Sequence, residues 1–197
     1  MLSTLLYKYS LYLVLLMSPD FQINTQRLNL KIIEACDAPE FAQLVQSSPS
    51  LFPWVDWCHD TFSIVEAEKF ILATRLNWVK ADAFGFGIFE RSSGKLVGMV
   101  AINELYHTFN MASLGYWVGD QFQRKGFAKE AMQALFEFCF AQLKLTRLEI
   151  VCDTENLPSQ KLIEKCGAER ETIAKNRFVF NGKPKDGVVY SVLPPTA

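Results

Sequence analysis

Gln123-Arg124-Lys125-Gly126-Phe127-Ala128 is the segment of this 197-residue chain with the clearest chemical potential. It is a basic, glycine-containing turn that follows the apolar run Leu114-Gly-Tyr-Trp-Val118 and leads into a helical pattern. Unpaired N–H groups at the start of a helix carry about half a positive charge, and Arg124 and Lys125 add two full charges beside them. Gly126 lacks the Cβ that would hold a phosphate away from the backbone, and the small Ala128 lets the helix begin close to a ligand. A pyrophosphate would fit such a cradle. A solvated helix N-terminus with two surface cations would carry the same residues, so the turn by itself leaves both readings open.

The elements that must position this turn can be read from period and punctuation. Asn24 to Ile33 alternates at first, as a half-buried strand does. Asp37 is placed to cap a helix running through Pro39 to about Val45, and Ser63 with Glu66 forms a capping box for a second helix ending near Lys80. Leu51 to Trp57, rich in aromatics and proline, reads as a packed loop. Phe84–Glu90 and Leu96–Asn103 are strands joined by Arg-Ser-Ser-Gly, and Ala112–Val118 is a third. A helix from Phe127 to about Leu143 carries an apolar face, followed by the strand Arg147–Cys152 and the helix Asn156–Lys165, stopped by Gly167. The turn Asn181-Gly182 joins the strands Thr172–Phe180 and Gly187–Leu193. Strands that first meander and then alternate with helices predict an α/β fold, a central mixed sheet flanked by helices.

Half of the residues are apolar, enough for one substantial core, so a single domain over residues 24–197 is expected after an extension of residues 1–23. The short apolar run Leu11–Met17 is too short to span a bilayer and no small-residue cleavage site follows it, which makes Met17 a candidate start. A net charge of −1 supplies no global field for nucleic acid or an anionic membrane, so neither partner is expected. The five cysteines show no paired spacing and the two histidines, His59 and His107, lie far apart, so no metal site or disulfide framework is expected. Cys139, Cys152 and Cys166 read as small buried hydrophobes.

The turn resembles the acetyl-CoA-binding segment of GCN5-related N-acetyltransferases (GNAT), whose pattern Q/R-x-x-G-x-G/A stands here as Gln123 to Ala128. A second family element, Asn-x-x-Ser before a helix ending in glycine, is matched by Asn156-Leu-Pro-Ser159 and Gly167. Thr25-Gln-Arg-Leu-Asn-Leu, Phe52-Pro-Trp54-Val-Asp-Trp57 and Asn181-Gly-Lys-Pro-Lys-Asp-Gly-Val-Val-Tyr190 further resemble the RimJ/RimL (ribosomal-protein-alanine N-acetyltransferase) branch, and the likeness spans residues 24 to 193. The resemblance implies a GNAT-like acyl-CoA N-acyltransferase fold and a cytoplasmic enzyme, monomer or homodimer. It implies that the backbone of Gln123, Arg124, Lys125, Gly126, Phe127 and Ala128 holds the cofactor pyrophosphate. The main chain of Trp117 and Val118, with Asn156, would hold the pantetheine arm, and Ser159 would donate to the leaving sulfur. A serine in that first helical turn would equally serve to satisfy backbone groups.

The base is less apparent. Relatives commonly carry a glutamate before Gly-Tyr-Trp, where this chain has Ser113, two residues before Gly115. Glu104, near the end of the preceding strand, is the candidate, acting directly or through water. An α-amine with a pKa near 8 is about one-tenth neutral at pH 7, whereas a lysine amine near 10.4 is neutral about once in a few thousand. The absent glutamate therefore favours a protein N-terminal α-amine as acceptor. Trp54 and Trp57 are candidates to line the acceptor groove, Phe62 less so, and Arg27 and Tyr190 suit core or cleft equally. Alternatives are a small amine such as a polyamine, an amino acid or an aminoglycoside, and a non-catalytic CoA-binding regulatory module.

Overall fold

The computed structural model describes residues 18 and 20–195; the Met17 start falls outside them. In chain order the elements are β1 (Gln22–Asn24), β2 (Leu28–Lys31), α1 (Ala38–Gln46), α2 (Ile64–Lys80), β3 (Phe84–Glu90) and β4 (Leu96–Tyr106). There follow β5 (Met111–Val118), α3 (Phe127–Ala141), β6 (Arg147–Asp153), α4 (Leu157–Lys165), β7 (Glu169–Phe180) and β8 (Lys183–Val192). The strands form one eight-stranded sheet in the order β1-β2-β3-β4-β5-β6-β8-β7. Only β5 and β6 run parallel, and α3 is the crossover that such a pair requires.

Register divides the sheet into two faces, because cross-strand partners point the same way. Gly87, Met99 and Trp117 share one row, and the Trp117 ring lies 5.6 Å from that of Phe41 on α1. Phe86, Val100 and Tyr116 form the adjacent row on the opposite face, where Phe86 and Phe138 of α3 both meet Phe21. Helices α1 and α2 thus cover one face, α3 and α4 the other. Phe41, Phe86, Ile102, Met132 and Leu135 are fully buried between these layers, each contributing about 1.5–3 kcal/mol of hydrophobic stabilisation.

Two local expectations are corrected. The first strand is broken: Thr25 to Arg27 leave the sheet because Thr25 Oγ1 accepts from Leu28 N (2.9 Å) and donates to Glu130 Oε1 on α3 (2.6 Å). The Asp37 carboxylate does not cap α1; it accepts from Glu34 N (2.8 Å) and closes a short 3-10 turn that precedes the helix. By contrast Ser63 and Glu66 form the expected reciprocal capping box at the start of α2.

Candidate active site

The turn between β5 and α3 is shaped as an anion nest. Arg124 and Gly126 have φ of +60° and +83°, a left-handed conformation that turns successive N–H groups to one side. Gly126 is the N-cap of α3 and offers no side chain to it. Among the described residues, the backbone N–H groups of residues 124 to 129 find no protein acceptor. Phe127 and Ala128 bury their side chains, so a ligand at this end meets main chain. The Gln123 amide is engaged: Nε2 donates to Ser50 Oγ (2.9 Å) and Val118 O (3.2 Å), fastening the turn to the 47–51 loop. Arg124 and Lys125 are exposed beside the nest.

Arg27 buttresses the turn. Its Nη1 donates to Lys125 O (2.9 Å) and its guanidinium pairs with Glu130 (2.6 Å). Burial alone would raise the Glu130 carboxyl, but hydrogen bonds from Thr25 and Arg27 together hold it below the usual carboxylate range.

Beside the nest the sheet opens. β5 and β6 pair only from Met111↔Arg147 to Leu114↔Ile150. Beyond that, β5 stays with β4 as far as Val118 and β6 stays with β8 as far as Asp153, so the two are drawn apart. Among the described residues the β6-facing edge of Gly115 to Val118 has no strand partner, and Val118 turns its main chain to that edge. Trp117 does not, against the expectation that both residues would be open: the Gly119 N to Val97 O hydrogen bond (3.0 Å) sets the register in which its main chain turns to Met99 on β4. A cavity of about 300 Å³ fills the opening, lined by Trp54, Ser113, Tyr116, Cys152, Asn156 and Ser159 among others. A larger hollow of about 830 Å³ lies between residues 21–27 and α3 and shares no residue with this cavity.

Ser159 sits in the first turn of α4 with three polar neighbours. Its hydroxyl shares a hydrogen bond with Tyr116 Oη (2.9 Å) and lies 3.3 Å from Cys152 Sγ. Its backbone N–H donates to Asn156 Oδ1 (3.1 Å), the N-cap of α4. Helix capping is thus carried by the Asn156 side chain and the Ser159 main chain, which frees the Ser159 hydroxyl for chemistry. Among the described residues Asn156 Nδ2 donates to no protein acceptor, and only the Oδ1 of that side chain is engaged. Burial pushes the Tyr116 phenol well above its ordinary range, and burial likewise raises the Cys152 thiol. Tyr116 belongs to this group although sequence assigned it no role; its signal was the alternation that turns it toward α4.

On the α1/α2 face the sheet presents a lateral row, Glu104↔Ser113↔Glu149, across β4, β5 and β6. A bulge at Asn103 brings Glu104 opposite Ser113, as bulges re-aim side chains. Glu104 lies outside the cavity lining, exposed, and accepts from Tyr106 Oη. That hydrogen bond, then burial, raises the Tyr106 phenol. Glu149, which sequence did not single out, is paired with Arg177 and stands 3.6 Å from Arg147.

The two tryptophans separate. Trp54 lines the cavity, whereas Trp57 packs away from it against Phe70 (4.5 Å), Phe41 (6.0 Å) and Trp117 (5.9 Å). Phe62 joins that cluster. The loop carrying Trp54 is tied to the β5–α3 turn through Ser48 Oγ, which accepts from Asp120 N (3.1 Å), and through Ser50 Oγ, which donates to Asp120 Oδ1 (2.5 Å). His59 bonds Thr61 and Glu66 on the surface, and buried Tyr190 donates to Glu164 Oε1 (3.0 Å). Among the described residues no group of three or more His, Cys, Asp or Glu side chains is arranged to hold a metal ion, and no helix is long and apolar enough to cross a membrane.

Residues 27–169 match the family model described as an acetyltransferase (GNAT) domain. YoaA, an uncharacterized N-acetyltransferase of Bacillus subtilis, is 31% identical over 133 residues, 68% of this chain and 75% of that protein. The [ribosomal protein uS5]-alanine N-acetyltransferase of Escherichia coli is 23% identical over 180 residues, 90% of this chain and 93% of that protein. A solved structure from Vibrio cholerae, described as a candidate ribosomal-protein-serine acetyltransferase, is 62% identical with a TM-score of 0.84 and covers 89% of this chain and 99% of that one.

Proposed function

The chain belongs to the GNAT acetyltransferase family, and from that premise we propose that it transfers the acetyl group of acetyl-CoA to the N-terminal α-amine of a protein, directly, with both substrates bound together. The observation that carries the proposal is the opening between β5 and β6, with Ser159 in the lining of its cavity and a nest of main-chain N–H groups in the turn that follows β5.

The nest formed by Gln123 to Ala128 holds the pyrophosphate through main-chain N–H groups, each hydrogen bond to such a charged group being worth about 1.5–3 kcal/mol. The open edge at Val118 receives the pantetheine arm as an added strand, and Asn156 Nδ2 donates to the same arm. Bound there, acetyl-CoA supplies a thioester already activated for transfer. N–H groups near Val118 polarise its carbonyl. Ser159, its hydroxyl oriented by Tyr116, donates to the sulfur as negative charge develops. The amine enters from the α1/α2 face past Trp54 and Ser113 and bonds to the thioester carbon as the C–S bond breaks and the thiol leaves. Glu104 takes up the amine proton through water, and solvent restores the proton that Ser159 gave to the sulfur.

An α-amine suits this cleft because about one-tenth of it is already neutral at pH 7, so no free carboxylate is required in the cavity. The cavity's own carboxylate, Asp153, is paired with Lys185 (3.2 Å). The names of the Vibrio cholerae and Escherichia coli relatives support a ribosomal protein beginning with serine or alanine as the acceptor. The test is thiol release from acetyl-CoA with peptides bearing free N-terminal serine or alanine, lysine peptides blocked at the N-terminus, spermidine and an aminoglycoside. Turnover confined to free α-amines is expected. Selective turnover of a small amine would keep the chemistry and move the acceptor, and tight acetyl-CoA binding without turnover of any acceptor would overturn the enzymatic reading.

A further inference from the structure

Arg177 is the one cation lining the cavity among the described residues, and acetyl transfer as laid out above does not use it. Its position is built by the strand that carries it. β7 matches β8 at Ala174↔Gly187 and next at Phe178↔Lys185, so β7 bulges across residues 175–177. Asp186 pins the bulge: its carboxylate accepts from Asn176 N (3.1 Å) and Lys175 Nζ (2.6 Å), with Asn176 at a φ of +48°. The stem of Arg177 then lies against Gly187, where an added Cβ would stand 3.1 Å from Arg177 Cβ and 2.5 Å from Val151 Cγ1. A glycine is what lets the arginine approach the sheet this closely.

The guanidinium is held at one nitrogen only. Nη2 donates to Glu149, while Nε and Nη1 donate to no acceptor among the described residues. Glu149 neighbours Ser113, another residue of the cavity wall. The surrounding charges cancel, since Arg147 and Arg177 face Glu149 and Glu171, and Asp153, the carboxylate in the cavity lining, is paired with Lys185. Spare N–H donors on a locally neutralised guanidinium suit a carbonyl oxygen better than a carboxylate, which would need surplus positive charge.

We infer that Arg177 is a specificity residue that hydrogen-bonds the first main-chain carbonyl of the acceptor, an inference that rests on the α-amine reading. In an N-terminal residue the amine and that carbonyl are joined through a single Cα, whereas a lysine amine is separated from its own Cα by four methylenes. Within a cavity of about 300 Å³ lined by both Arg177 and Ser159, an α-amine can place its nitrogen at the thioester, whose sulfur meets Ser159, while its own carbonyl meets Arg177. A lysine amine carries its carbonyl too far away. Selection of α-amines over lysine then follows from geometry as well as from protonation.

The test compares a serine-initiated tripeptide with an analogue whose first C=O is replaced by a C=C isostere, with rates expressed per neutral amine. Wild-type protein, Arg177→Met and Arg177→Lys are each assayed. For the wild type, KM should be about tenfold higher for the isostere, the scale of one charge-assisted hydrogen bond. Arg177→Met should raise KM for the tripeptide by about the same factor, equalise the two acceptors, leave kcat within about threefold and leave acetyl-CoA affinity unchanged. Arg177→Lys should recover part of the discrimination. Equal KM values for the two acceptors in the wild type would overturn the inference without recourse to any variant, as would an equal loss on both in Arg177→Met. A wild-type preference for free serine over the tripeptide would also overturn it, in favour of carboxylate recognition. Absence of turnover with every acceptor would overturn the acetyl-transfer reading itself, an outcome distinct from intact turnover without discrimination.

Discussion

The two ends of the cleft are built by different means. At the β5–α3 turn, consecutive residues supply the groups, the groups are main-chain N–H, and two positive φ angles aim them. In the cavity the groups are side chains from β5, β6, α4 and β7, brought together by register and by bulges. The first end should therefore govern affinity for the nucleotide and tolerate side-chain changes that spare the backbone. The second should govern chemistry and acceptor choice, with single atoms mattering. Substitutions at the two ends should split cleanly between binding and turnover, and a crossed result would dissolve the distinction.

The largest effect is expected for Gly126→Glu, which at a φ of +83° adds a Cβ 3.2 Å from Nη2 of Arg27, the residue that buttresses the turn, and a negative charge beside the nest. Acetyl-CoA affinity should fall at least about 100-fold by calorimetry, with a left-handed strain of about 1–2 kcal/mol that the fold survives. Next, Ser159→Ala should lower kcat by about 100-fold while acetyl-CoA affinity holds. Helix α4 should be unaffected, because its cap uses the Asn156 side chain and the Ser159 main chain. Tyr116→Phe should lower kcat by about tenfold, the loss of one orienting hydrogen bond. Because burial raises this phenol, the wild-type pH–rate profile should show no tyrosine ionisation up to pH 10.

The smallest effect concerns the buttress. Glu130 has a depressed pKa in the folded state, so its contribution is present above the unfolded carboxylate value and is lost as pH falls through the folded one. Glu130→Gln should cost about 1 kcal/mol at neutral pH, a modest figure for a solvent-screened pair. The difference in Tm between variant and wild type should shrink below about pH 4.

What was legible in the sequence follows the same division. The nest could be read because Gln123 to Ala128 are contiguous and each residue has a local reason, and the Ser63 and Glu66 box could be read on the same ground. Tyr116, Glu149 and Arg177 could not, since their meaning depends on which residue lies opposite on the neighbouring strand. Ser113 illustrates this: read alone it looked like a missing base, yet the Asn103 bulge sets Glu104 on one side of it and parallel pairing sets Glu149 on the other. Trp54 and Trp57 lie three positions apart in one aromatic loop, and only packing sends one to the cavity and the other to the core. Likewise the break at Thr25 to Arg27 answers to Glu130, a residue far along the chain.

Acetyl transfer to an α-amine is tested most directly by locating the acetyl group on a peptide that offers both choices. A peptide with free N-terminal serine and an internal lysine, incubated with the protein and acetyl-CoA and sequenced by tandem mass spectrometry, should carry the acetyl group on the α-nitrogen alone. Acetyl on the lysine ε-nitrogen, or an unmodified peptide despite tight acetyl-CoA binding, would contradict it.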